Sequence, residues 1–222
     1  VCHAHRVPVV ARGAGTGLSG GAMPDPNALL LSTAKMMRIL DVDALACTAR
    51  VQPGVRNLAI SEAVAPLGLY YAPDPSSQIA CTIGGNVAEN SGGVHCLKYG
   101  LTVHNVMRVR GLTITGEFVE FGSTALDAPG YDLLALIIGS EGLLAITTEV
   151  TLRLTPKPDL AQVVIASFAD VRRAGDAVAS IIAAGIIPAG LEMMDRRAIL
   201  AVEPYANAGY DMTAEAILLC ES

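Results

Sequence analysis

The 222 residues are 52% hydrophobic and 16% charged, with a mean hydropathy of +0.47, which suits one or two packed cores and excludes a disordered chain. The net charge of −6, from 15 basic and 21 acidic residues with no basic cluster, excludes nucleic acid as a partner, and apolar runs such as 28–31 and 133–138 fall far short of the roughly 20 residues of a membrane span. Five scattered cysteines, never in C-x-x-C spacing, point to neither a disulfide framework nor a zinc or iron–sulfur site and suit a reducing, cytoplasmic setting.

The chain opens on Val1 a few residues ahead of an apolar, β-branched run at 7–11, which reads as a buried strand. No signal peptide is visible. His3 and His5 stand beside the chain end, where solvated side chains are a simpler reading than a metal pair. The strand runs into residues 12–21, Arg-Gly-Ala-Gly-Thr-Gly-Leu-Ser-Gly-Gly, five glycines in ten residues. Without Cβ atoms this backbone can turn consecutive N–H groups toward one anion, with the Thr16 and Ser19 hydroxyls as further donors. A diphosphate cradle is the functional reading, and a ligand-free surface loop is the alternative. Residues 15–20 match G-x-G-x-x-G and Asp41 lies at a plausible distance for a ribose contact. A nicotinamide-binding turn must open a helix, however, and Pro24 and Pro26 make the following segment a turn. A P-loop is excluded because no Lys-Ser or Lys-Thr closes the glycines.

Short apolar pieces at 28–31, 39–42 and 46–51 read as antiparallel strands. Pro53 and Gly54 end them, and a helix is expected over 55–66, stopped by Pro66 and Gly68. Residues 73–93 combine two prolines, four glycines and Ser, Thr and Asn donors. This suits a large planar ligand with polar edges, against the alternative of a self-packed Ω-loop. A hairpin is expected from 106–114 and 117–121 about Thr115-Gly116, then a short helix at 133–138 and a strand at 145–154. Pro156 and Pro158 mark the clearest boundary. Beyond it, a strand at 161–168, a helix at 170–184, a strand at 189–194, a helix at 196–202 and a strand at 216–220 begin an α/β layer. The sequence stops at Glu221-Ser222 without a turn or polar tail, so the chain reads as an internal segment of a longer protein.

The motifs at 12–17 and 82–93, with Lys98-Tyr99-Gly100, Gly139-Ser140-Glu141-Gly142 and the stretches 93–105 and 185–195, resemble the FAD-binding domain of the vanillyl-alcohol oxidase/p-cresol methylhydroxylase flavoproteins. Within that family they are most similar to glycolate oxidase flavoprotein subunits. The resemblance spans nearly the whole chain. It implies an α+β fold: an FAD-binding domain at 1–156, a mixed or antiparallel sheet with flanking helices whose first part lies before Val1, followed at 159–222 by the start of a ferredoxin-like substrate or cap domain.

By the same resemblance, Arg12, Gly13, Ala14, Gly15, Thr16, Gly17, Gly20 and Gly21 cradle the FAD diphosphate. Pro73, Ser76, Ser77, Thr82, Gly84, Gly85, Asn86, Ala88, Asn90 and Gly93 line the rest of the cofactor. Tyr99, Gly100, Glu141, Gly142 and Ile146 approach the ring or the adenosine end, although Glu141 reads equally as a surface acid at a helix end. FAD is expected to be non-covalent, since the diphosphate loop has no histidine and only Cys81 in the second loop is a nucleophile. The implied activity is oxidation of a 2-hydroxy acid, glycolate first, with D-lactate or D-2-hydroxyglutarate, or a non-catalytic FAD-binding subunit, as alternatives. The carboxylate clamp, proton acceptor and any metal are expected in the later cap region, so no catalytic residue is assigned here. The implied partners are a second flavoprotein-like subunit and an iron–sulfur subunit, the assembly being cytoplasmic or peripheral to the inner membrane.

Overall fold

Most of the β-branched and apolar runs become strands in the computed structural model, which describes residues 1–125 and 129–222. One structural unit comprises Val1–Gly93 and Gly100–Lys157, and a second comprises Val94–Tyr99 and Pro158–Ser222. The first unit begins with α1 (Cys2–His5), β1 (Val9–Arg12), β2 (Leu29–Ser32), β3 (Ile39–Asp43), β4 (Thr48–Val51), α2 (Asn57–Val64), β5 (Leu69–Tyr70) and α3 (Ile83–Glu89). The chain then contributes α4 (Cys96–Tyr99) to the second unit. It returns as α5 (Thr102–Asn105), β6 (Val106–Leu112), β7 (Phe118–Gly122), α6 (Leu133–Ile137), β8 (Ile146–Arg153) and β9 (Thr155–Pro156).

The principal sheet of the first unit has the order β3-β4-β8-β6-β7, with every neighbouring pair antiparallel. Its longest strand, β8, is rich in Ile, Thr and Val, which suit a pleated surface. The core gathers Val51, Val109, Val150 and Leu152 of the sheet with Ile60 and Val64 of α2 and Ile83 and Val87 of α3. None of these is more than 1% exposed, and burying each such side chain contributes about 1.5–3 kcal/mol. The expected helix after Pro53 is α2, turning a face of Asn57, Ile60 and Val64 inward. Its end tightens to a 3₁₀ turn at Ala65–Leu67, because Pro66 has no N–H to continue the α ladder, and Gly68 closes it at φ +70°.

Two features depart from expectation. The strands at 39–43 and 48–51 are antiparallel, but β2 pairs in parallel with β1, Val9 opposite Leu29 through Arg12 opposite Ser32. Parallel neighbours need a long crossover, usually a helix, and here the glycine-rich segment between β1 and β2 is that crossover. The second rich stretch is also not loop throughout: Ile83–Glu89 is α3, whose Ile83 and Val87 sit one turn apart in the core.

Tyr71 is buried in this core at 2% exposure. Burial pushes its phenol pKa well above the ordinary value of about 10, only partly opposed by the Thr102 hydroxyl. Ionisation is therefore resisted in the folded state alone, so Tyr71 contributes stability that is whole below the ordinary phenol range and is lost as pH rises beyond it. The urea midpoint is expected to fall between about pH 9 and pH 11, and Tyr71→Phe to make that fall shallower. An unchanged slope in the variant would remove Tyr71 as the cause.

In the second unit, β10 (Val163–Phe168), α7 (Val171–Ala183), β11 (Gly190–Asp195), α8 (Arg196–Ala206) and β12 (Ala216–Glu221) form a three-stranded sheet of order β10-β12-β11. The last strand inserts between the first two, antiparallel to both. Asp170 and Asp195 cap the helices, accepting from Arg172 N at 2.9 Å and Ala198 N at 2.8 Å. The helix α8 runs four residues past the expected Val202, through Pro204, to a left-handed Asn207 at φ 48°.

Candidate functional site

The first unit holds a cleft of about 280 Å³ in which three separate stretches of chain converge. The crossover between β1 and β2 supplies Arg12 to Gly17, Gly20 and Gly21, the start of α3 supplies Thr82, Gly84 and Gly85, and the segment entering β8 supplies Ser140, Glu141, Gly142 and Ile146. Their approach is made by backbone. The Thr33 amide donates to Arg12 O at 3.0 Å, anchoring the base of the glycine loop. At the α3 start, the amides of Ile83 and Gly84 donate to Val55 O and Pro53 O, both at 2.9 Å. A Cβ on Gly84 would stand 2.7 Å from Pro53 Cβ, so only glycine lets the helix start this close.

Thr82 is the N-cap of α3, yet its hydroxyl makes no capping bond. The residue is 7% exposed and its Oγ1 is buried without a hydrogen-bond partner. A threonine at that position ordinarily satisfies a helix amide, worth about 1 kcal/mol. Here Oγ1 is turned between the glycine stretches, 2.5 Å from where a Cβ on Gly13 would stand and 3.6 Å from one on Gly85. Ser140, in the lining of the same cleft, also has a buried and unpartnered Oγ. An unmet buried hydroxyl costs about 1–3 kcal/mol, which a polar ligand in this cavity would relieve for both residues.

The cleft's charged side chains are one cation, Arg12, and two carboxylates, Glu89 and Glu141. An anion there must therefore be held by amides and hydroxyls, as a nest holds it, more than by side-chain charge. The segment 139–142 is pinned to the end of α3, with the Gly139 amide donating to Val87 O and the Glu141 amide to Ala88 O, each at 2.8 Å. That pinning holds Glu141 in the left-handed region at φ 54°.

Most of the residues expected from sequence meet in this cleft: Arg12, Gly13, Ala14, Gly15, Thr16, Gly17, Gly20, Gly21, Ser77, Thr82, Gly84, Gly85, Asn86, Ala88, Glu141, Gly142 and Ile146. Asn86 is present through its position only, because its amide is used elsewhere. Its Oδ1 accepts from Asn57 Nδ2 at 3.1 Å and its Nδ2 donates to Cys81 Sγ at 3.5 Å.

Six expected residues are not in the lining. Pro73 is buried with its carbonyl accepting from Asn57 Nδ2 at 3.0 Å, and Ser76 is exposed on the loop that follows. Asn90 ends α3 at φ 51°, its Oδ1 accepting from Val103 N at 3.0 Å. Gly93 packs on the Asp74 backbone, and Gly100, at φ 78°, on the His104 ring. Tyr99 belongs to α4 in the second unit, beside Lys98 Nζ at 5.6 Å from its ring centre. Among the lining residues that sequence reasoning missed are Pro53, Glu89 and Ser140: the first was read as ending the preceding strands, and the other two stood inside quoted motifs without being chosen. Among the described residues, no group of three or more His, Cys, Asp or Glu side chains could hold a metal. None of their helices is long and apolar enough to cross a membrane.

Residues 1–122 match the family described as FAD binding domain, and residues 157–222 match the FAD linked oxidases, C-terminal domain. Glycolate oxidase subunit GlcD of Escherichia coli strain K12 is 65% identical over 221 residues, all of this chain and 44% of that protein. D-lactate dehydrogenase of Archaeoglobus fulgidus is 38% identical over 194 residues, 87% of this chain and 43% of that protein. The chain thus spans less than half the length of these relatives. The solved structure of alkyldihydroxyacetonephosphate synthase has the same fold, with a TM-score of 0.84 at 23% identity, over 99% of this chain and 43% of that one.

Proposed function

The chain belongs to the FAD binding domain family, and from that premise we propose that it is the cofactor-holding part of a flavoprotein subunit that oxidises a 2-hydroxy acid, glycolate to glyoxylate. The observation that carries this reading is the convergence of three stretches on one cleft with two orphaned hydroxyls, Thr82 Oγ1 and Ser140 Oγ. FAD fits that donor set: a diphosphate offers acceptors to the amides of residues 13–17 and to Thr82, and Gly13 and Gly85 leave the space beside that hydroxyl. FAD, when bound, supplies the acceptor for the two electrons leaving the hydroxyl-bearing carbon. The chain's own part is to orient the cofactor, with α3 as a rigid floor, and to keep water from the walls. The clamp for the substrate carboxylate and the acceptor of its hydroxyl proton fall, in this proposal, in the part of the relatives that this chain does not match.

Glycolate is preferred over D-lactate because the glycolate oxidase subunit is 65% identical and the D-lactate dehydrogenase 38%. The proposal extends to a complex with a second flavoprotein-like subunit and an iron–sulfur subunit, peripheral to the inner membrane through those partners, with electrons passing on to a quinone. In support, the G-x-G-x-x-G match at 15–20 opens no helix, as nicotinamide binding requires.

The test has two parts. This chain is expected to bind FAD that separates completely from the polypeptide on denaturation, and to reduce no dye with glycolate by itself, since substrate positioning supplies much of an enzyme's rate. A protein carrying the chain together with the remainder found in the relatives is expected to reduce the dye with glycolate faster than with D-lactate, and not to use NAD. Absence of flavin binding overturns the reading, and flavin left on the denatured polypeptide overturns the non-covalent part.

A further inference from the structure

The crossover that forms the glycine loop is exposed. Among the described residues, the hydrogen bond that joins residues 13–21 to another element runs from Ser19 Oγ to Glu89 Oε2, at 3.4 Å. The other carboxylate oxygen of Glu89 rests on the loop two residues earlier, 3.2 Å from where a Cβ on Gly17 would stand. Glu89 therefore holds the loop by one hydrogen bond and lies against it with its other oxygen. Its charge is poorly placed for an anion site. It is the last residue of α3, where the helix carbonyls already present partial negative charge. No cation pairs with it among the described residues, and it lines the cleft in which Arg12 is the one cationic side chain.

We propose that Glu89 is a positioning residue with two opposed effects on a bound dinucleotide: it fixes the shape of the glycine loop through Ser19 and Gly17, and it repels the diphosphate that the loop holds. The inference rests on the reading of the cleft as an FAD site. Its consequence is that the cofactor is held less tightly than the loop's geometry allows, so that flavin exchanges between protein and solution. The two effects separate by substitution. In Glu89→Gln the Oε1 acceptor can still brace Ser19 while the charge is gone, whereas Glu89→Ala loses both and Ser19→Ala loses the brace alone.

The experiment is titration of the apoprotein, chain 1–222, with FAD, followed by flavin fluorescence, at low salt and at about 1 M salt, where the Debye length is only about 3 Å. Glu89→Gln is expected to bind FAD about three- to tenfold more tightly than the natural protein at low salt, with most of the difference gone at high salt. Ser19→Ala is expected to bind several-fold more weakly at both salt levels. A brace without repulsion would leave Glu89→Gln equal to or weaker than the natural protein, and that result overturns the proposal. A gain that persists unchanged at high salt also overturns it, because the cause would then be packing. If the natural protein binds no FAD at all, the reading of the cleft fails, and this inference with it. If it binds FAD and only the Glu89→Gln gain is missing, the failure belongs to this inference alone.

Discussion

Gly13→Ala is expected to weaken FAD binding about 10- to 100-fold while leaving the fold intact. The added methyl stands 2.5 Å from Thr82 Oγ1, closer than real Cβ contacts allow. The threonine cannot retreat easily, because it is buried at the start of α3 with Ile83 wedged in the core behind it. The hydroxyl must then turn out of the space between the two glycine stretches, and the loss of one hydrogen bond to a charged group, about 1.5–3 kcal/mol, accounts for the range. Gly13 does not have positive φ, so the substitution introduces no backbone strain and its effect is one of space. Gly116→Ala is the opposite case. That glycine turns the β6–β7 hairpin at φ +86° with nothing within 4 Å of its Cβ direction, and its substitution is expected to cost about 1 kcal/mol of stability with FAD affinity unchanged. Equal FAD affinity for Gly13→Ala and the natural protein, measured by flavin fluorescence, would remove Thr82 from the cofactor site.

Asn57→Ala is expected to lower unfolding stability by about 2–4 kcal/mol, read from urea unfolding, which for a polar residue on a short helix is a large effect. Asn57 is 1% exposed. Its side-chain amide donates to Pro73 O at 3.0 Å and to Asn86 Oδ1 at 3.1 Å, while its own backbone amide donates to Cys81 O at 3.0 Å. The first turn of α2 thus holds both ends of the segment between Pro73 and Cys81 and the middle of α3. Truncation strands two buried acceptors, each of which forfeits its solvation without a replacement. Because Asn57 and Asn86 share one bond, the Asn57→Ala/Asn86→Ala pair should cost less than the sum of the single changes. Strict additivity would show that the two amides act independently.

The backbone of the glycine loop was legible because composition sets it: a strand, then five glycines, then prolines that forbid a helix. The helix α3 was not. Its Ile-Gly-Gly-Asn start has low intrinsic helix propensity, and what makes it helical is tertiary. Ile83 and Val87 reach the core, and the carbonyls of Val55 and Pro53 take up two of the amides that a helix start leaves unmet. Local sequence carries neither fact. The same reasoning explains the expected residues that lie elsewhere. Asn90 and Gly100 are at positive φ, one closing a helix and one packed on a histidine ring. Residues chosen for backbone shape look the same in sequence as residues chosen for a ligand. Ser140 shows the converse, since a lone serine between a glycine and a glutamate gives no local sign that its hydroxyl will be buried without a partner.

The short segment Val94–Tyr99 leaves the first unit, lays α4 beside β11 and comes back before the rest of the first unit is complete. Within the second unit His95 Nε2 meets Glu221 Oε2 at 3.2 Å, joining the start of this strap to the end of β12. The piece of sequence that recombination could exchange is therefore discontinuous. A chimaera joined only at Pro158 would inherit a foreign β11 and β12 while keeping its original α4 and His95. Substitutions in β11 or at the end of β12 would meet this six-residue segment directly, which makes the strap a place to look for correlated substitution.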